Sequence, residues 1–396
     1  MADHDPIMIA GAARTPIGNF QGALSTVAAP KMGAHAINAA LDRANVDAGD
    51  VDEVMMGCVL PAGLGQAPAR QAALGAGVPQ KTACVTVNKV CGSGMKTMMM
   101  AHDTVMAGSA AVVVAGGMES MSGAPHLLPS GRQGLRFGHG QVLDHMAYDG
   151  LEDPYHDHAA MGVFAEKCAR EWQFSREEQD AYAVRSVERA QKAIADGTFA
   201  EEIAPLEVAQ RRQTITVKDD EKPGLIKAEK IRTLRPAFEK DGSVTAGNAS
   251  AISDGAAAAV LMRASEADRR GVNPVARLIG HTTHAQAPEW FTTAPVASIG
   301  ALLEKVGWST DDVDVFEINE AFAVVPMAAM RELSLPPEKV NPFGGAIALG
   351  HPIGASGARI VVTLINALRK TGGKRGVASL CIGGGEATSV AIELVS

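Results

Sequence analysis

Reactive side chains are concentrated in three glycine-rich segments, and the first of them surrounds a cysteine. The sequence NKVCGSGMK at 88–96 places Cys91 between a predicted strand and a predicted helix. Unpaired backbone N–H groups and the positive end of a helix dipole meet at such a position. Both lower the pKa of a thiol and increase its thiolate fraction. Cys91 is therefore a candidate nucleophile, although an arbitrary cysteine is more often a small buried hydrophobic residue.

The second segment carries a histidine. Residues 344–359 have the sequence GGAIALGHPIGASGAR, whose glycines and proline predict a shaped loop ahead of a helix. His351 lies in this loop, at a position that corresponds to the Cys91 region if the two ends of the chain are copies of one unit. That placement favours a general base acting on Cys91 over a purely structural histidine.

The third segment is CIGGG at 381–385, at the end of a predicted buried strand. Its glycines expose backbone N–H groups such as that of Gly383, which can form an oxyanion hole. Cys381 is a candidate second acid or base. Asn319, in the sequence NEAFA at 319–323, adds a polar side chain at the end of another predicted buried strand.

Other catalytic templates are absent. The sequence contains no Gly-x-Ser-x-Gly elbow, no phosphate-binding Walker loop, no dinucleotide fingerprint after a strand and no His-Glu-x-x-His. Cys91, Cys381 and His351 lack the Cys-x-x-Cys spacing of a zinc site. The five cysteines are an odd number without close pairs, so they predict no disulfide framework. We expect neither a metal nor a cofactor.

Alternating apolar and helical patterns predict an α/β protein that positions these segments. Strands are predicted at 7–12, 51–58, 84–88 and 111–115, the last of them closed by Gly116 and Gly117. Helices are predicted at 31–45, 66–75, 94–107 and 176–196. Residues 121–248 hold five of the eleven histidines and much of the charge, which is typical of an insertion. From residue 275 onward, strand and helix patterns alternate again.

The two ends of the chain repeat each other in the same order. The sequence Asp-Val-Asp at 50–52 recurs at 312–314, and Val-Asn at 87–88 recurs at 340–341. Gly-Gly-Met-Glu at 116–119 is matched by Gly-Gly-Gly-Glu at 383–386. Three matches in order favour duplication over chance, and they predict two related halves packed face to face.

Composition and charge exclude several classes of protein. A hydrophobic fraction of 46% and 42 glycines in 396 residues are typical of a compact α/β protein with many tight turns. The net charge of −8 argues against a nucleic-acid-binding surface. No apolar run reaches the roughly 18 residues that cross a bilayer. The acidic N-terminus and unpaired cysteines predict a cytoplasmic protein without membrane contact.

These motifs together resemble those of the thiolase family. The resemblance covers the nucleophile motif at 88–96, Asn-Glu-Ala-Phe at 319–322, and the segments 245–250, 350–359 and 381–385. It implies a thiolase fold with five layers, α/β/α/β/α, made of two duplicated halves and an inserted loop domain. The implied boundaries are 1–120, completed by about 252–273, for the first half, 121–251 for a CoA-binding loop domain, and 274–396 for the second half.

The resemblance also implies a mechanism. Cys91, activated by His351, attacks an acyl-CoA thioester and becomes acylated while CoA leaves. Cys381 then removes a proton from the methyl group of a second acetyl-CoA, and the carbanion attacks acyl-Cys91. His351 and a water bound to Asn319 stabilise the enolate, while the backbone N–H groups of Cys91 and Gly383 bind the oxyanion.

Subtype and substrate contacts follow from the same resemblance. The Gly-Ser-Gly-Met run at 92–95 is similar to that of enzymes that form acetoacetyl-CoA from acetyl-CoA. The implied contacts with the substrate or CoA are Ser250, Met161, Ala249 and Phe322. Ala160 departs from the pattern, because such enzymes carry histidine there. His158 or His156 fills this gap, or the pocket is wider and accepts longer acyl chains.

Several alternatives remain open from the sequence. They are a broad-range 3-ketoacyl-CoA thiolase, a ketoacyl synthase of the same fold, which Cys381 argues against, and a non-catalytic CoA-binding homologue. Residues 211–235 contain eight Lys or Arg against four acidic residues, an excess that suits a CoA phosphate. The resemblance further implies a homodimer, and a homotetramer joined through residues 122–149.

Overall fold

The computed structural model describes residues 5–210 and 212–395. The first four residues of the acidic N-terminus, Arg211 and Ser396 lie outside this description. The strands are β1 Ile7–Arg14, β2 Gly18–Asn19, β3 Glu53–Gly57, β4 Ala83–Val87, β5 Val112–Ser120, β6 His126–Leu127, β7 Leu143–Asp144, β8 Glu152–Asp153, β9 Ala159–Ala160, β10 Leu206–Ala209, β11 Thr214–Val217, β12 Ser253–Arg263, β13 Ala276–Ala285, β14 Val315–Ile318, β15 Arg375–Ile382 and β16 Glu386–Leu394. The α-helices are α1 Ala29–Ala44, α2 Pro68–Gly75, α3 Ser93–Met106, α4 Met161–Glu171, α5 Arg176–Ala195, α6 Glu221–Leu225, α7 Ala228–Ile231, α8 Ala264–Arg270, α9 Ala294–Val306, α10 Val324–Glu332, α11 Ala346–Leu349 and α12 Ile353–Thr371.

Ten strands of the described ranges form one mixed sheet, in the order β14-β15-β16-β13-β1-β12-β5-β3-β4, with β2 attached to β12. β1 and β13 are joined by only two residue pairs, so this link connects two half-sheets. Outward from the link the strand order is β1-β12-β5-β3 on one side and β13-β16-β15-β14 on the other. β3 and β5 are parallel, as are β14 and β15. Apart from β4, which has no counterpart strand in the described part of the second half, the order is the same on both sides, and it confirms the predicted duplicated halves.

Three hydrophobic cores hold the five layers together, and the middle core encloses the central layer of helices. Successive residues of β12 alternate between two cores, because neighbouring side chains on a strand point to opposite faces of a sheet. α1 and α2 cover the outer face of the first half-sheet. α3 and α12 fill the space between the half-sheets, and α9 and α10 cover the far face of the second. α12 is buried on all sides as far as Leu368, as expected of a helix enclosed by two sheets.

Most elements predicted near the site are confirmed, but one boundary is wrong. Gly116 and Gly117 do not close a strand, because β5 continues through them to Ser120. A side chain on Gly117 would overlap the carbonyl of Gly354 at the start of α12, so glycine serves a close approach here. Gly384 and Gly385, with φ of 90° and 85°, form the turn between β15 and β16. The third repeat match therefore pairs positions that are not equivalent.

Residues 121–251 contribute no strand to the large sheet within the part of the chain that is described. They form three two-stranded ribbons, β6-β7, β8-β9 and β10-β11, together with the helices α4 to α7. α5 begins with a capping box, in which Ser175 and Glu178 satisfy each other's backbone N–H groups. The predicted domain boundaries stay a prediction. None of the helices in 5–210 and 212–395 is long and apolar enough to cross a membrane.

A buried ion cluster anchors this region to the sheet. Arg14, the last residue of β1, has its Nε 2.5 Å from Glu202 Oε1 and its Nη1 2.6 Å from Asp220 Oδ1. Arg14 Nη2 also donates to Asp220 Oδ2 at 2.8 Å. All three side chains are at most 1% exposed, so the cluster is shielded from water.

Replacing Arg14 with methionine should lower the free energy of unfolding by about 3–5 kcal/mol, because two carboxylates would stay buried without their cation. The exposed ion pair of Arg269 with Glu266 provides the control, since Arg269→Met should leave stability nearly unchanged. Urea unfolding followed by circular dichroism measures both. Equal losses in the two variants would contradict this account.

Candidate active site

A strained turn presents Cys91 at the start of α3. Val90 has a left-handed backbone with φ of 45°, which is unfavourable for a β-branched residue. The hydroxyl of Ser93 holds the turn, since it donates to Val90 O at 2.7 Å and accepts from Lys89 N at 2.8 Å. Cys91 therefore lies immediately before the N-terminus of α3, facing a cavity.

The pKa of the Cys91 thiol is raised to about 11, mainly because burial disfavours the thiolate. Hydrogen bonding from the backbone of Gly383 and of Cys91 itself offsets this only in part. The prediction of a lowered pKa is thus wrong: desolvation outweighs the helix N-terminus. The same contacts place two backbone N–H groups around the sulfur.

His351 precedes α12 as Cys91 precedes α3. Its Nδ1 lies 2.6 Å from Ser356 Oγ, and that hydroxyl donates its only proton to Pro352 O at 2.9 Å. Ser356 must therefore accept from Nδ1–H, which leaves His351 Nε2 as the unprotonated nitrogen. Nε2 has no hydrogen-bond partner among the described residues. Burial, with a smaller contribution from Arg359, lowers the pKa of His351 to about 3, so the ring is neutral at pH 7.

Glu119 fixes the loop that carries His351. This buried carboxylate accepts from Gly354 N at 2.8 Å, Val59 N at 3.0 Å and Leu60 N at 3.1 Å. Gly354 belongs to the first turn of α12, so Glu119 supplies negative charge to that N-terminus. Burial raises the pKa of Glu119 to about 7 despite these bonds. Sequence analysis missed Glu119, although an acidic residue after the run of valines in β5 was a signal.

Asn319 and Cys381 are more deeply buried than Cys91, and neither is part of the cavity wall. Asn319 follows β14, and its Oδ1 accepts from Arg359 Nη2 at 3.4 Å. Its Nδ2 has no partner among the described residues. Cys381 lies near the end of β15, where burial and the neighbouring Cys91 raise the pKa of its thiol well above the usual range.

The cavity has a volume of about 660 Å³. It brings together seven of the nine residues predicted for the site. These are Cys91, His351, Gly383, Ser250, Met161, Ala249 and Phe322. The walls also contain all nine residues of 147–155, a segment that begins with the π-helix Ala147–Leu151. Sequence analysis did not assign this segment to the site because it has no motif.

Two backbone hydrogen bonds join the wall segments that contain Ser250 and Phe322. Ser250 N donates to Ala321 O, and Ala323 N donates to Asn248 O, both at 2.9 Å. Glu320 is buried beneath this contact and accepts hydrogen bonds from three further side chains. They are Tyr182 at 2.9 Å, Ser186 at 2.6 Å and Asn341 at 2.9 Å. This network ties α5 of the inserted region to the active-site wall.

Of the two histidines considered for the gap at Ala160, only His158 lies in the cavity wall of the described structure. Ala160 and His158 both line the cavity. The His158 ring stacks on Tyr148 with centroids 4.3 Å apart, and its backbone is left-handed at φ 56°. His156 instead lies outside the wall, with Nδ1 2.5 Å from Asp153 Oδ2.

The basic side chains of residues 212–235 do not all point the same way: one points inward and the others are exposed to solvent. Lys222 points inward, where its ammonium donates to Ile347 O at 2.6 Å and burial lowers its pKa to about 8. It is therefore not available to a phosphate. Arg211 lies outside the described residues. The exposed basic residues are Arg212, Lys218, Lys227, Lys230, Arg232 and Arg235.

The core has five layers in two duplicated halves, and a thiol and a neutral imidazole precede its two central helices. These features define a class of cysteine-dependent α/β enzymes. Residues 7–265 match the model of the thiolase N-terminal domain, and residues 272–394 match that of the thiolase C-terminal domain. The chain belongs to the thiolase family.

Similar proteins cover the whole fold. Acetyl-CoA acetyltransferase 1 of Arabidopsis thaliana is 51% identical over 98% of this chain and 94% of its own length. Acetyl-CoA acetyltransferase of Shinella zoogloeoides is 46% identical, with coverage of 98% and 99%. A crystal structure of the Bacillus anthracis acetyl-CoA acetyltransferase has a TM-score of 0.96 and 42% identity, and the match covers 99% of each chain.

Alkylation of Cys91 by iodoacetamide should become faster with rising pH, by about tenfold per unit from pH 7 to 9, because only the thiolate reacts and the pKa is raised to about 11. Quenched samples analysed by peptide mass spectrometry measure the rate, with the more deeply buried Cys168 as internal control. A rate that does not change with pH over this range would indicate a preformed thiolate and contradict the neutral pair.

Proposed function

We propose that this acyltransferase is an acetyl-CoA C-acetyltransferase. It joins two acetyl-CoA molecules into acetoacetyl-CoA and CoA, and it catalyses the reverse thiolysis. The proposal rests on one observation: a chain that matches acetyl-CoA acetyltransferases along its full length carries a thiol and a neutral imidazole on one cavity.

In the first half-reaction, Cys91 attacks the thioester carbonyl of acetyl-CoA. His351 Nε2 takes the thiol proton during the attack, because the pair is neutral beforehand. The N–H groups of Cys91 and Gly383, which already surround the sulfur, are placed to stabilise the oxyanion. Collapse of the tetrahedral intermediate leaves acetyl-Cys91 and a CoA thiolate.

Cys381 acts as the base of the second half-reaction, and the proton balance at the end of the first one explains how it becomes a thiolate. If Cys381 gives its proton to the departing CoA thiolate, it becomes a thiolate while His351 stays protonated. Burial raises the pKa of Cys381 and lowers that of His351, so this ion pair is short-lived and Cys381 is a strong base. It removes a methyl proton from the second acetyl-CoA. His351 and the amide of Asn319 donate to the enolate oxygen, the latter through a water. The carbanion attacks the carbonyl of acetyl-Cys91, and the departing Cys91 thiolate takes the proton back from His351, which restores the neutral pair.

Variants should separate the two half-reactions. Cys381→Ala should still be acetylated at Cys91 by acetyl-CoA but form acetoacetyl-CoA roughly a thousandfold more slowly, because the carbon acid lacks its base. Cys91→Ala should do neither. Intact and peptide masses, together with the rate of acetoacetyl-CoA formation, measure this.

Cys168→Ala is the matched control for removal of a buried cysteine, and it should retain both steps. Condensation at the normal rate by Cys381→Ala would overturn the assignment of the base. Absence of any acetyl-enzyme in the unaltered protein would favour a non-catalytic CoA-binding homologue.

A broad-range 3-ketoacyl-CoA thiolase is the second candidate, because Ala160 presents little bulk to the cavity. Thiolysis of ketoacyl chains of four to ten carbons distinguishes the two functions. We expect the four-carbon substrate to be fastest and the six-carbon one to follow within about tenfold. Ala160→His should selectively lower the six-carbon rate, by about tenfold, because the larger ring fills the space of the added carbons.

An unchanged ratio of six- to four-carbon rates in Ala160→His would show that Ala160 does not set chain length. His158→Ala is the companion variant from the same wall. Faster turnover of the longer chains by the unaltered enzyme would instead make it a broad-range thiolase.

The remaining assignments extend this proposal. The exposed basic residues of 212–235 suit the CoA phosphates, and the inserted region supplies that surface.

The hydrophobic side chains of Leu135, Phe137 and Val142 are exposed on the segment between β6 and β7, which supports a homotetramer of paired dimers. The reaction needs no cofactor, nucleic acid or membrane, and we place the enzyme in the cytoplasm.

A further inference from the structure

Two histidines and an aspartate converge on the surface, away from the active-site cavity. His102 and Asp103 lie near the C-terminal end of α3, and His281 lies in β13. Asp103 Oδ1 is 3.0 Å from His102 Nδ1 and 2.9 Å from His281 Nε2. The three ligand atoms all lie within 4.8 Å of one another.

We propose that His102, Asp103 and His281 form a binding site for a divalent transition-metal ion such as Zn²⁺. Two imidazoles and a carboxylate are a donor set that Zn²⁺ and Co²⁺ prefer. In a tetrahedral site the donors lie about 3.3 Å apart, so small side-chain rotations would bring these three atoms onto one ion. Asp103 is 61% exposed, which leaves room for a water as the fourth ligand.

Burial and charge support the site. The side chains of His102 and His281 are only 16% and 13% exposed, so their orientations are limited by packing. The C-terminal end of α3 adds negative potential. Lys305 opposes the ion, but its ammonium is engaged with His281 O at 2.8 Å.

The ligands come from opposite halves of the fold. α3 belongs to the first half and begins next to Cys91, whereas β13 is the first strand of the second half. None of the three residues lines the cavity in the described structure. A bound ion would therefore clamp the two halves together and stabilise the folded protein without entering the reaction. The sequence motifs used to look for a metal site could not reveal these ligands, because those motifs rely on closely spaced residues and Asp103 and His281 are 178 positions apart.

Titration of the chelator-treated, full-length protein with Co²⁺ tests the site. We expect one equivalent to produce visible d–d absorption bands without a thiolate-to-metal charge-transfer band. The ion should also raise the unfolding temperature, because it binds the folded state. His281→Asn and Asp103→Asn should each weaken binding by roughly tenfold or more. His139→Asn, at an exposed histidine elsewhere, is the matched control and should bind normally.

Circular dichroism of each variant without metal verifies that it is folded, and His102→Asn replaces any variant that is not. Absence of cobalt bands in the unaltered protein would overturn the proposal and leave a hydrogen-bonded contact between the halves. Bands that persist in His281→Asn and His102→Asn would overturn it too, as would a charge-transfer band lost in Cys91→Ala. Loss of the bands in both histidine variants, with normal acetylation of Cys91, is the result we expect.

Discussion

The crossing of α3 and α12, backbone against backbone, is the contact on which the site depends. A side chain on Gly94 would lie 2.8 Å from Ala358 N and 3.0 Å from Gly354 O, and one on Gly357 would overlap Met95 N. Such an approach tolerates only glycine at these positions. Because Cys91 lies two residues before the start of α3 and His351 two residues before the start of α12, the crossing brings a thiol and an imidazole from opposite halves to one cavity.

Burial sets the protonation states of the two side chains, Cys91 and His351, that the crossing brings together. With a raised pKa for Cys91 and a lowered pKa for His351, the resting pair is neutral, and charge appears only when a thioester is attacked. A neutral resting pair avoids the desolvation cost of placing two charges in a largely buried site. The surrounding contacts preserve this geometry, since Ser356 fixes the imidazole tautomer and Glu119 holds the start of α12. Catalytic strength would thus come from donors that are positioned before the substrate arrives.

The sequence supported much of this arrangement because its signals were local. Cys91 and His351 lie in glycine-rich loops before apolar helices, and those patterns, with the repeat between the two ends, predicted the duplicated layers. Properties that depend on distant packing were missed. Burial reversed the expected pKa shift of Cys91. Gly116 and Gly117 lie within β5 instead of ending it, because glycine at 117 allows the close approach of α12. Which of His158 and His156 lines the cavity beside Ala160 depended on a left-handed turn in an irregular segment, which no sequence period encodes.

The most direct test of this account is the rate at which acetyl-CoA acetylates Cys91 in Gly357→Ala. The added methyl group forces α12 away from α3, so the imidazole should move relative to the thiol. A displacement of about 1 Å costs on the order of a hundredfold in rate. Gly300→Ala, in a helix where the methyl group meets no other atom, is the control. The account predicts that folded Gly357→Ala is acetylated about a hundredfold more slowly than Gly300→Ala. Equal rates in two folded variants would contradict the claim that the helix crossing creates the active site.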